Sequence, residues 1–195
     1  GFAPECIATD DPNELTDRRT CSVYYPVAPL AVERDARLCY AATLLPCQVE
    51  VSQGIDYIFE LLCHHTPTGT FVAGACDALG VGVPDTVYFR GDGWPGKFSA
   101  DGVSSEYLPT WGRYGTSMLP RCRACTRTCS PEADWTVADP WGLGGEMGDG
   151  KTMVHAHTHE AWRLAREAKE AGVIEIEHVD GAEWDRRMYL HAKRR

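Results

Sequence analysis

The run Ile55–Cys63 (IDYIFELLC) is nearly continuous in apolar residues and is the length of a strand. A strand apolar on both faces must be covered on both, which is the setting of a parallel strand between layers. Its surroundings fit that reading. Arg37–Pro46 (RLCYAATLLP) is a second buried-strand candidate, and Pro46 suits the first turn of a short helix running through Cys47, Gln48 and Val49. TPTGTFVAGACDALG predicts a helix with Thr66 or Thr68 as cap and Gly80 as stop. DTVYFRG reads as a strand, GDGWPG as a turn, and GKFSADGVSSEYLP as a hairpin with Asp101-Gly102 at its tip.

Further along, WTVADP predicts a short strand leading into the glycine-rich GLGGEMGDG, and TMVHAHT another strand. Thr158 caps a predicted helix His159–Ala171, with Ala161, Leu164, Ala165 and Ala168 on one face and Gly172 as stop. GVIEIEHV predicts a strand, and Asp180 with Glu183 forms a capping-box pattern before a last helix. Strands alternating with helices predict an α/β fold: a mixed, mostly parallel sheet with flanking helices and an inserted β-hairpin. Residues 1–20 read as a polar loop or linker and residues 21–195 as a single domain.

A net charge of −9 argues against nucleic acid as the main partner. The basic run Lys193–Arg195 ends a predicted helix, where cations suit the helix dipole. No apolar run reaches the roughly 18 residues of a membrane span. The opening residues lack the basic-then-apolar pattern of a secretory signal, so a cytoplasmic location is expected. Nine cysteines, an odd number, then favour metal or redox chemistry over a disulfide framework.

Cys122, Cys125 and Cys129 fall in RCRACTRTCSP. The CxxC spacing serves iron–sulfur clusters and zinc alike. A zinc site usually repeats the pair, and no second CxxC is present. Cys47 and Cys63 each follow a predicted strand, and sites in open α/β sheets form beyond the carboxyl ends of strands. These two thiols are therefore expected at one edge, with Cys122 and Cys125 closing over them. Cys39 and Cys76 sit in apolar patterns and are expected to be core thiols.

Four segments, in order, carry a resemblance. LLPCQVE is similar to a GTPCQ-type loop, and YIFELLCHHTPT to a strand ending in L-I-C-H-G-x-P-S. FRGDGWPGKF resembles an R-G-x-G-W-P-G turn, and RCRACTRTCSPEADWTVADPWG an R-C-x-x-C-x(7)-A-D-x-x-x-G-D-x-W-G segment. Together they resemble the coenzyme F420 hydrogenase/dehydrogenase β-subunit family over roughly Ser22 to Val179. The resemblance implies an FAD-binding oxidoreductase with a [4Fe–4S] cluster. Electrons would pass between a ferredoxin or a partner oxidoreductase and coenzyme F420 or another small organic acceptor. It assigns Cys47, Cys63, Cys122 and Cys125 as cluster ligands. It places Ser22, Tyr24, Gln48, His64, Trp94, Pro95, Gly96, Asp139 and Trp141 near the flavin.

The chain departs from the pattern in places. Leu44 and Leu45 stand where the family has Gly-Thr before the Pro-Cys, His65 replaces a glycine, and Ala138 replaces the glycine of the Gly-Asp pair. Cys129 is an additional thiol, read as idle. GLGGEMGDG lacks the spacing and context of a dinucleotide fingerprint. His64 and His65 follow Cys63 and are the candidate proton donors to product.

Two other readings use zinc. One is a non-enzymatic interaction module held by Cys122, Cys125, Cys129 and a histidine. The other is a hydrolase built on His155 and His157, whose HxH spacing on a strand puts both imidazoles on one face. Trp162 and Trp184 are expected to pack on helices, and Trp94 and Trp141 to lie in loops where an aromatic ring can meet a flavin.

Overall fold

A computed structural model describes residues 33–139 and 151–184. The linker 1–20, Cys6, Cys21, Ser22, Tyr24, Trp141, the glycine-rich segment and Lys193–Arg195 lie outside the described residues. The chain divides into two compact units. One holds His65–Arg123; the other holds, among the described residues, 33–64, 124–139 and 151–184.

The second of these units is built on a four-stranded sheet, in the order β1 (Ala41–Leu44), β2 (Tyr57–Leu61), β6 (Trp135–Ala138) and β7 (Met153–Ala156). β1 and β2 are parallel, β2 and β6 are parallel, and β7 runs antiparallel to β6. The expected mixed, mostly parallel α/β sheet is therefore present. Between β1 and β2 lies α1 (Pro46–Val49), with Pro46 at its first position as the sequence predicts.

β1 is shorter and more open than expected. Among the described residues it is an edge strand paired only with β2, and of its own residues only Leu44 is buried. Cys39, expected in the core, lies before the strand begins and is exposed. After β7, Thr158 accepts a hydrogen bond from the Ala161 N–H at 3.0 Å and caps α5 (His159–Glu170), and Gly172 ends the helix at φ 70°.

GVIEIEHV forms no strand. Its backbone turns back on α5 instead: the Val173 N–H donates to the Ala168 carbonyl, and Lys169 Nζ donates to the Ile176 carbonyl. Val173 is left 74% exposed and Ile174 43% exposed. Alternation alone does not make a strand without a ladder partner. Asp180 does cap the next turn, its Oδ1 accepting from the Glu183 N–H at 2.8 Å. Trp162 is partly exposed beside His178, and Trp184 lies 4.8 Å from His155 between ring centres.

The other unit leaves the sheet after β2 and returns before β6. It contains α2 (Thr70–Ala78), the antiparallel sheet β3 (Val87–Gly91), β4 (Lys97–Ala100) and β5 (Val103–Glu106), α3 (Tyr107–Tyr114) and, running to the return, α4 (Pro120–Ala124). The β4–β5 hairpin turns at Asp101 and Gly102, φ 48° and 82°, as the Asp-Gly signal requires. Phe71, Phe89 and Phe98 form the buried centre, with Trp111 packed edge-on to Phe71.

The cap of α2 is Gly69 rather than a threonine. Thr68 instead bonds Thr70 and Ser117 through its hydroxyl, at 2.6 and 2.7 Å. α3 is not anticipated by the sequence reading. Pro109 falls in its first turn, where a missing N–H costs nothing, and Tyr107, Trp111 and Tyr114 share one face. Among the described residues, no helix is long and apolar enough to cross a membrane.

Candidate functional site

The cysteines mark where the chain leaves the four-stranded sheet and where it returns. Cys47 lies in α1, three residues past the end of β1, and Cys63 two residues past the end of β2. Because β1 and β2 are parallel neighbours, both thiols sit at one sheet end. The returning segment is fastened to the same end. The Cys63 N–H donates to the Thr128 carbonyl at 3.0 Å, and Arg127 forms an ion pair with Glu50, just beyond α1. Cys125 is half-buried in this segment.

Within the other unit the outgoing and returning chains are also paired. The Leu119 N–H donates to the Thr66 carbonyl, and the Thr66 N–H points at Cys122 Sγ, 3.4 Å away. Hydrogen bonds to sulfur are one of the levers that tune iron–sulfur centres. All four ligand candidates are half-buried thiols. That donor set suits iron chemically, and the strand-end placement suits a bound group. Among the described residues, however, no three His, Cys, Asp or Glu side chains are gathered closely enough to hold a metal ion. Burial, and then the charge of Glu60, push the Cys129 thiol above its ordinary value, which disfavours the thiolate a metal needs.

The flavin candidates are scattered over both units. Gln48 Oε1 accepts from the Leu45 N–H at 2.8 Å, which fastens the turn carrying Cys47. Asp139 follows β6 and is half-buried. His64 is exposed. His65 is half-buried against Trp111, and its Nε2 lies 2.7 Å from the Gly115 carbonyl oxygen. An N–H at that nitrogen donates there, so Nδ1 is the position left to exchange a proton.

Trp94, Pro95 and Gly96 form a rigid turn. The Arg90 guanidinium sits over the Trp94 ring at 4.5 Å and the Tyr107 ring at 5.2 Å, and Arg90 Nε donates to the Pro95 carbonyl. The Trp94–Pro95 peptide is cis. Gly96 has φ 88°, and a Cβ there would lie 2.8 Å from the Gly91 carbonyl oxygen and 3.0 Å from that of Gly93. Gly96→Ala is therefore expected to cost about 1–3 kcal/mol, read by chemical denaturation. A loss under about 0.5 kcal/mol would mean the turn is not held as described.

One buried group escaped the sequence reading. Glu60, on β2 two residues before Leu62, is fully buried. Its Oε1 accepts from the Ser130 N–H at 2.9 Å and the Thr136 hydroxyl at 3.1 Å, while Oε2 has no hydrogen-bond partner among the described residues. Burial raises its pKa above 4.5, and the two hydrogen bonds offset this in part. A native pKa above the unfolded one means the folded state holds more protons in between, so Glu60 costs stability as pH rises. Glu60→Gln, which keeps an acceptor for Ser130 and Thr136, is expected to gain thermal stability relative to wild type as pH climbs from about 4 towards 8. A constant difference across that range would contradict the assignment.

His155 and His157 are neighbours, as the HxH spacing predicts, with ring centres 4.5 Å apart. His157 Nε2 is 2.7 Å from Thr136 Oγ1, and among the described residues no third metal donor joins the pair.

The fold and the cysteines thus define an α/β protein with a thiol-bearing sheet edge. The chain belongs to the family described as the C terminus of the coenzyme F420 hydrogenase/dehydrogenase beta subunit, which matches residues 38–182, about three quarters of its length. This is a redox family named for an enzyme subunit, so the chain has an oxidoreductase-type role. No curated protein matches the chain.

Proposed function

We propose that the chain is an iron–sulfur flavoprotein oxidoreductase that relays electrons to or from coenzyme F420 or another reducible organic acceptor. The observation that carries this reading is the pairing of Cys47 and Cys63 at the carboxyl ends of two adjacent parallel strands, with the segment that carries Cys125 fastened back onto Cys63. Cys47, Cys63, Cys122 and Cys125 would hold a [4Fe–4S] cluster, and Cys129 stays outside the set. Bound together, cluster and FAD supply one-electron storage and two-electron exchange with an organic acceptor.

The protein's own contribution is binding and orientation. Gln48 fixes the Cys47 turn. The Arg90-clamped turn presents Trp94, Pro95 and Gly96 as a flat, stiff wall for a flavin ring. Ser22, Tyr24, Asp139 and Trp141 complete the flavin contacts by family position. His64, at the exposed exit from β2, gives or takes the product proton, and His65 assists through Nδ1. The electrons come from a ferredoxin or a partner oxidoreductase subunit, in the cytoplasm.

The test is an anaerobic assay of the FAD-supplemented chain with a reduced ferredoxin, following F420 and quinone-like acceptors by absorbance. Acceptor reduction that disappears when all four cysteines are replaced by alanine supports the proposal. Reduction that is unchanged in that variant overturns it.

A further inference from the structure

The one buried carboxyl on β2 is joined by hydrogen bonds to the protein surface. From Glu60 Oε1 the chain of contacts runs to Thr136 Oγ1 and on to His157 Nε2, at 3.1 and 2.7 Å. Glu60 and Thr136 are fully buried, His157 is half-buried, and His155, edge-on to it, is exposed. Thr136 donates its hydroxyl hydrogen to Glu60, so its lone pair accepts from His157 Nε2–H. The three groups therefore line up as donor, relay and acceptor. The end of the line is a carboxyl whose second oxygen is buried without a partner among the described residues. Such an oxygen is costly to keep, and it lies on a strand that leads directly to Cys63.

We propose that Glu60, Thr136 and His157 form a proton relay from solvent to a buried carboxyl, and that this carboxyl takes up a proton when an electron reaches the cysteine-bearing sheet end. The second half rests on the redox reading above. In the inward transfer His157 takes up a proton from solvent at Nδ1 and releases the Nε2 proton to Thr136 Oγ1, which leaves the Nδ1–H tautomer; return of the proton along the same path restores the starting state. Thr136 passes its own hydroxyl proton to Glu60 Oε1. One proton enters, one negative charge on Glu60 is neutralised, and the electron comes from the reduced carrier protein.

The electrostatics favour such an exchange. Burial raises the pKa of Glu60 from 4.5, and burial, followed by the charge of His155, lowers that of His157 from 6.5, so the two groups move towards each other. The charge of Glu60 helps to raise the pKa of Cys129, and Asp134 partly offsets the lowering of His157. Ser130 meets Glu60 from the returning segment through its backbone N–H alone.

Infrared spectroscopy of the full chain tests the relay without any cofactor. Wild type is expected to show a protonated-carboxyl band that persists above the ordinary carboxylate range and shifts in D2O, and Glu60→Gln to lack it. Thr136→Val is expected to slow hydrogen–deuterium exchange of that band at least tenfold, with Thr136→Ser restoring it. A band that survives Glu60→Gln, or exchange at the wild-type rate in Thr136→Val, overturns the relay. For the coupling, the reduction potential of the iron-reconstituted wild type is expected to fall as pH rises, and that of Glu60→Gln to lose this slope. An equal slope in both overturns the coupling. Failure to take up iron overturns the redox reading and the coupling with it, while the infrared result still judges the relay.

Discussion

Replacing Phe71 with alanine is expected to destabilise the protein by about 3–5 kcal/mol. Phe71 is 0% exposed and its ring meets three others: Phe89 at 5.6 Å, Phe98 at 6.0 Å and Trp111 at 5.6 Å between centres. It is the point where α2 packs on the β3-β4-β5 sheet and on α3, so the cavity left by truncation opens between three elements. Neighbours fixed by their own strands and helices cannot collapse into it. Urea denaturation reads the effect, with Val83→Ala as control. Val83 is 89% exposed and its truncation is expected to change stability by no more than about 0.5 kcal/mol. A loss below about 1 kcal/mol for Phe71→Ala would mean that this aromatic cluster is not the core of its unit.

The second large effect concerns iron. Cys47→Ser and Cys63→Ser, made singly, are each expected to lower bound iron and acid-labile sulfide at least several-fold, because a [4Fe–4S] cluster takes four thiolates and serine is a harder, poorer ligand. Cys39→Ser and Cys76→Ser are the informative controls. Cys39 is exposed ahead of β1, and Cys76 is buried in α2, where burial raises its pKa. Neither lies at the sheet end, and both variants are expected to keep wild-type iron. Equal iron in all four variants would remove the sheet end as the metal site.

Much of the sheet was legible because its signals are local. The apolar run of β2, Pro46 at the start of α1, Asp101-Gly102 at the hairpin tip and the Thr158 cap each depend on a few adjacent residues. The errors arise where structure depends on distant partners. GVIEIEHV has strand alternation and finds no ladder, so it folds back on α5. Cys39 looks like core in RLCYAATLLP, yet β1 is an edge and begins beyond it. α3 was hidden by Pro109 and Gly112, both tolerated once Tyr107, Trp111 and Tyr114 have a surface to pack on.

The same logic divides the candidate site. Strand-end placement of Cys47 and Cys63 could be read from two apolar runs. Glu60 could not: a single acid in such a run reads as a solvent-facing interruption. Its burial depends on Ser130 and Thr136, 70 and 76 residues away. The place of His157 against Thr136 likewise follows from the antiparallel pairing of β6 and β7, which spacing within HAHTH does not reveal.

The proposed function requires that the thiols at the sheet end hold iron and sulfide beside a flavin. It is tested most directly by the ultraviolet–visible spectrum of protein prepared without oxygen, recorded before and after dithionite, with iron and sulfide assayed on the same sample. A broad brown shoulder together with flavin bands, all bleaching on reduction, and iron and sulfide in equal amounts are expected. A colourless protein carrying zinc, unchanged by dithionite, would contradict the proposed function.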